Sequence, residues 1–190
     1  MFSLSIPLLM AARPAVAHFP AHAASGINEG LLHALMGLDH VLAAFAVGLW
    51  AVQRGGKYGW ILPGAFILFM GAGWGLGLVG LDLLQRESGT AASVLVLGLL
   101  VMAAARPPLG LSLGLIGLFA LLHGHSHAIQ SAEVASGLAY GTGMVIMTGL
   151  LHLAGISVFR LLRRERVRRF VRLTGGSIAA AGCIMAFGWI

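Results

Sequence analysis

The sequence predicts an all-α membrane protein: a bundle of six transmembrane helices behind an N-terminal signal peptide. Three observations carry this. Of the 190 residues, 58% are hydrophobic and only 9% charged, whereas soluble domains are about a quarter charged. A soluble chain of this length exposes too much of its surface to hide so many apolar side chains. The apolar residues fall into six stretches near the ~20 residues a helix needs to cross the hydrocarbon core. Lys and Arg, finally, collect in alternate connections between those stretches, as membrane topology demands. Strand-like alternation is absent, and backbone in lipid must satisfy its own hydrogen bonds, so the spans are helices.

Taken in order, residues 1–17 read as the signal peptide. Met1–Ala12 is apolar and Ala15-Val16-Ala17 fits a small-x-small cleavage site. No Lys or Arg precedes Arg13, so retention as an uncleaved anchor is the alternative. Cleavage leaves one transmembrane domain, residues 18–190, beginning His18-Phe19-Pro20-Ala21-His22. The spans are expected at Glu29–Val52, Tyr58–Gly80, Ser88–Ala105, Pro108–His127, Ala132–Phe159 and Leu173–Ile190. With the residues after the leader in the periplasm, the cytoplasmic loops hold Arg54, Lys57, Arg106 and a run of seven arginines from Arg160 to Arg172. The periplasmic side keeps only Arg86, beside Asp82 and Glu87. The chain is therefore placed in a bacterial inner membrane, multi-pass, with both mature termini periplasmic.

The pI near 11.1 does not mark a nucleic-acid partner. Most of the basic charge is one hydrophilic, non-aromatic segment in an otherwise apolar chain, which is a topology signal, and the surrounding partner is membrane lipid. Cys183 is the lone cysteine, which excludes an intrachain disulfide and reads as a small packing residue. Gly71/Gly75, Gly73/Gly77, Gly110/Gly114 and Gly137/Gly141 have the GxxxG spacing that lets membrane helices approach closely. Pro63 sits inside the second span, where a kink is tolerated.

Ionisable groups inside a membrane are costly and mark function. The first span carries His33-Ala-Leu-Met36-Gly37-Leu-Asp39-His40. On a straight helix His33, Met36 and His40 share one face, with the two imidazoles about 10 Å apart along the axis. Without help from another helix or a break they cannot share one ion, and two successive stations along a path fit this geometry better. Asp39 points aside, as an acceptor behind a ligand or as a hard oxygen ligand. The fourth span ends in His123-Gly124-His125-Ser126-His127, and Glu133 opens the fifth. His123 and His127, at i and i+4, form a common two-imidazole metal arrangement. His125 points away unless the helix unwinds. Span one starts and span four ends on the same side, so the two clusters can converge. His18 and His22 would stand outside as further metal donors, and His152 reads as either an inner exit station or a satisfied interfacial histidine. Imidazole suits nickel, zinc and copper, and carboxylate widens the range to harder ions.

The run His33-x-x-x-Gly37-x-Asp39-His40, followed by Ala46-Val47-Gly48-Leu49-Trp50-Ala51, resembles the first-span signature of the HupE/UreJ proteins. His123-Gly124-x-x-His127 resembles that family's second motif, and the likeness extends over nearly the whole chain. It implies a nickel, or sometimes cobalt, permease without an ATPase domain, serving hydrogenase or urease maturation. Ni2+ or Co2+ would be cargo, not a permanently bound cofactor, and nickel-enzyme maturation proteins would be the partners. No catalytic residue is expected. By position the resemblance assigns His33, Asp39, His40, His123 and His127 to metal handling. Met36, His125, Glu133, His18 and His22 are additional candidates. The chain departs from the pattern at Ala34 for proline, Ala44 for methionine and Gln130 for glutamate, an acid that Glu133 could replace. Two rival readings use the same residues: an integral-membrane zinc hydrolase of ceramidase-like kind, and a non-transporting metal sensor or assembly partner.

Overall fold

A computed structural model describes residues 26–81, 86–130, 137–161 and 164–188. The leader, His18, His22 and Glu133 lie outside them. The described residues form seven α-helices and no strand: α1 (Ile27–Met36), α2 (Leu38–Arg54), α3 (Tyr58–Leu78), α4 (Arg86–Ala103), α5 (Leu109–Gln130), α6 (Gly137–Leu161) and α7 (Arg164–Ala186). The described residues are thus all-α, as the sequence predicts.

Length and apolarity give fewer membrane crossings than the six stretches read from the sequence. α3, residues 109–128 of α5 and residues 137–160 of α6 qualify as single spans, and α1 with α2 makes a fourth as a bent pair. The third stretch is a shorter apolar helix, Ser88–Ala103. The arginine run is not a loop throughout, because α7 already begins at Arg164 and takes the later arginines into its first turns. These corrections have one cause: a hydropathy window reports apolarity, while the helix boundary is set by backbone hydrogen bonding, which charged side chains do not interrupt.

The largest correction falls on the first stretch. It is not one straight helix, for α1 and α2 meet at 84°. The Gly37 amide closes α1 on the His33 carbonyl at 3.1 Å, and the Gly37 carbonyl accepts from Val41 at 2.9 Å to open α2. Gly37 is extended there, at φ −73° and ψ 104°, so the ladder is broken at one residue. A break leaves the first amides of α2 without an i−4 carbonyl, a serious cost in a dry interior. Asp39 meets part of it: its Oδ1 accepts from the His40 amide at 2.8 Å.

α2 lies at the centre of the bundle, with Ala43, Ala44, Val47, Leu49 and Trp50 all buried. It is packed by α6, α4 and α3, while α5 covers α3 and α7 covers α4. Small residues allow these approaches. A Cβ at Gly48 would strike the His152 carbonyl of α6, and one at Gly155 would strike Phe45 of α2, so that crossing is glycine on both sides. Of the expected GxxxG pairs, Gly73 and Gly77 press on α5, and Gly137 and Gly141 receive the Trp74 ring. Gly71, Gly75, Gly110 and Gly114 face open space, correcting the sequence expectation for those pairs. α3 runs through Pro63 without a break. Cys183 is exposed rather than packed inside. Large apolar side chains such as Leu68 (70% exposed) and Leu138 (81% exposed) cover the outside, which is the surface a hydrocarbon solvent calls for.

Arg54 and Arg172 both bond carbonyls at the Met102–Pro107 end of the bundle. Arg54 donates to the Pro107 carbonyl at 2.6 Å and lies over the Tyr58 ring, and Arg172 donates to the Met102 carbonyl at 2.8 Å. Trp50 donates to the Ala105 carbonyl in the same layer.

Candidate metal centre

The break at Gly37 folds α1 back so that His33 and His40 converge instead of standing a turn or two apart. His33 Nε2 lies 3.0 Å from His127 Nδ1, and His127 Nε2 lies 3.2 Å from His40 Nδ1. His127 thus bridges the two imidazoles that a straight helix would separate by about 10 Å. The successive-station reading of His33 and His40 gives way to one continuous imidazole chain.

His40, His123 and His127 are buried, and each offers a ring nitrogen within 4.8 Å of those of the other two. An ion held at about 2.0–2.1 Å from imidazole nitrogen would need only small ring rotations to draw them in. α5 would supply two of the ligands, because residues four apart share a face, and α2 the third across the bundle.

Neighbouring hydroxyls set which nitrogens can bind. Thr148 of α6 donates to the Met144 carbonyl at 2.7 Å, so its oxygen, 2.8 Å from His40 Nε2, accepts a proton from that nitrogen. His40 Nδ1 then carries the lone pair and faces the cluster. Ser93 of α4 likewise donates to the Thr90 carbonyl at 2.6 Å and accepts from His123 Nε2 at 2.7 Å. His123 Nδ1 is left buried with no partner among the described residues. Both hydroxyls therefore hold the tautomer that leaves Nδ1 of each ring with its lone pair, the form a metal ion would require. His127 Nε2 donates to His40 Nδ1; when His127 switches tautomer, Nδ1 can donate to His33 and Nε2 becomes a third ligand. Met70 of α3 brings its sulfur to 3.6 Å from the Thr148 hydroxyl.

The other expected residues are placed differently. Asp39 is half-buried and spends Oδ1 on the His40 amide, standing outside the three-histidine group. Met36 is 72% exposed, whereas the three converging histidines are buried. His125 turns its Nε2 to the Leu81 carbonyl because α5 does not unwind at Gly124. Ser93, Thr148 and Met70 escape sequence reading because single hydroxyls and a methionine are ordinary in membrane helices. The one available signal is Thr148 standing a turn before His152.

Asp39 has a role testable apart from ligation. Asp39→Asn keeps an acceptor for the His40 amide and removes the charge, whereas Asp39→Ala removes both. Loss of the acceptor alone is expected to cost about 1–3 kcal/mol, the penalty of leaving a part-buried amide unsatisfied. The measurement is thermal unfolding in detergent beside metal uptake. A carboxylate that only caps predicts normal uptake in Asp39→Asn; a carboxylate that handles metal predicts a stable protein without uptake.

The HupE / UreJ protein family matches residues 6–185. Protein HupE of Rhizobium leguminosarum bv. viciae is 37% identical over 188 residues, covering 97% of either chain. No solved structure matches. The two histidine motifs lie within this continuous likeness, and the chain belongs to the HupE/UreJ family.

Proposed function

We propose that the protein takes up a divalent transition metal, Ni2+ first and Co2+ second, by facilitated diffusion or secondary transport through the bundle. The carrying observation is the buried group His40, His123 and His127, whose rings converge from two helices. Three neutral imidazoles suit late first-row metals better than Mg2+ or Ca2+. A site of three neutral ligands, without a closing fourth, can strip part of an ion's hydration and still release it, as conduction requires. In this reading His33 delivers the ion to His127, and Asp39 supplies charge or support beside His40. The chain lies in a bacterial inner membrane behind a cleaved leader and crosses it six times, with α4 and the apolar part of α7 as short spans. Arg54, Arg106 and the arginines of α7 face the cytoplasm, so the His33 end of the bundle opens to the periplasm. The delivered metal serves hydrogenase or urease maturation. Nickel takes precedence on family membership, because the donor set accepts cobalt as well.

The test is flux into liposomes containing the purified chain and a metal-sensitive dye, with Ni2+, Co2+ and Zn2+ offered in turn. Saturable Ni2+ or Co2+ influx above protein-free liposomes is the expected result. Absence of influx overturns the reading, and a tightly held stoichiometric zinc with amide hydrolysis would install the hydrolase in its place.

A further inference from the structure

His152 is the one histidine among the described residues with both ring nitrogens buried and without a hydrogen-bond partner. It is 1% exposed. A neutral imidazole carries one donor and one acceptor, and each left unmade in a dry interior costs about 1–3 kcal/mol. A ring-edge contact does not remove that cost. The nearest aromatic is Phe66, its ring centroid 5.3 Å away and nearly perpendicular, and an N–H against a π face is a weak substitute.

Its position gives the orphaned ring a use. His152 is four residues past Thr148 on α6, hence one turn, about 6 Å, further along the same face. Its carbonyl is clamped against Gly48 of α2, which lies about 12 Å along that helix from His40. Both measures place His152 deeper than the three-histidine group, toward the Arg54 end. Phe66 stands between them: its ring is 6.1 Å from that of His123 and 5.3 Å from that of His152. Apart from these imidazoles, the neighbourhood is apolar, with Val47, Leu49, Leu62 and Phe66 fully buried. No other expected ligand lies along this stretch.

From this geometry we infer that His152 is a second, inward station that takes the same divalent metal ion, partly hydrated, from the His40–His123–His127 group past the Phe66 ring. The inference rests on the transport reading and adds a residue to it. A single imidazole binds weakly, which is what a station that must pass the ion onward requires. Capture belongs to the outer group, so His152 governs how fast a captured ion leaves it.

The experiment compares wild type, His152→Leu and His152→Gln in detergent and in liposomes. Co2+ is the probe, since its visible absorption reports imidazole ligation and an entrapped metal-sensitive dye reports its flux. His152→Leu is expected to leave Co2+ affinity at the outer group and the half-saturating concentration within about twofold, and to lower maximal flux at least about tenfold. His152→Gln, which can still hold a water but ligates poorly, is expected to remain equally slow. Wild-type flux in His152→Leu, or full rescue by glutamine, overturns the inference and leaves the transport reading standing. Loss of outer-group Co2+ binding in both variants also overturns it, because His152 would then be holding that group together. Metal influx retained but made insensitive to a pH gradient would make it a proton carrier instead. If wild type itself moves no metal, the transport reading falls and takes the station with it.

Discussion

Replacing His127 with alanine is expected to lower Ni2+ or Co2+ affinity by more than about 100-fold and to abolish uptake. Changing a group that merely orients a ligand costs about 10–100-fold, and His127 does more than orient. It is one of three converging histidines and the ring that joins His33 to His40. Its removal leaves His40 Nδ1 and His33 Nε2 without their shared partner, so capture and coordination fail together. Truncating the imidazole opens a small cavity on one helix, and the chain should still insert and elute as a single species. His125→Ala, two residues away, is the control. That ring is turned to the Leu81 carbonyl on the other side of α5, and its loss should leave metal affinity within about threefold, since no ligand is removed. Isothermal titration of the two variants beside wild type decides the matter. Equal loss in both would mean that the histidine run acts by composition rather than by geometry.

The contrast shows how far residues could be read without coordinates. The helical class followed from composition, because an apolar chain in lipid has no other way to satisfy its backbone. The i, i+4 relation of His123 and His127, and the outward turn of His125, followed from helix periodicity alone. The bend at Gly37 did not, since glycine is common inside membrane helices and its presence does not announce a break. That one missing bend misplaced His33 relative to His40 and concealed the cap on Asp39. The tautomer-setting hydroxyls were hidden for another reason. Ser93 and Thr148 matter only because α4 and α6 present them to rings on α5 and α2, and tertiary pairing is not written in local periodicity.

The glycines carry the same lesson to a second large effect. Gly124→Val is expected to destroy both the packing of α3 on α5 and metal binding, whereas Gly114→Val, on the same helix, should be nearly silent. A Cβ at Gly124 would fall on the Met70 carbonyl and close to the Trp74 amide. Backbone cannot swing aside as a flexible side chain does, so the helices must separate. Overpacking typically costs about 1–3 kcal/mol, and a branched side chain against backbone belongs at or beyond the upper end. Gly124 also sits between His123 and His125, one turn from the His40 contact of His127. Separation there moves two ligands away from the third while Met70 is pushed from Thr148. At Gly114 the corresponding Cβ meets nothing within 4 Å, and valine adds only a lipid-facing side chain. The check is detergent melting and Co2+ absorption of both variants: a Gly124→Val protein that melts and binds like wild type would mean that α3 and α5 do not pack at this distance. Sequence spacing had favoured Gly114, as half of a GxxxG pair. The close approach runs instead through a glycine chosen by its neighbours on α3, and it sets where α5 holds His123 and His127.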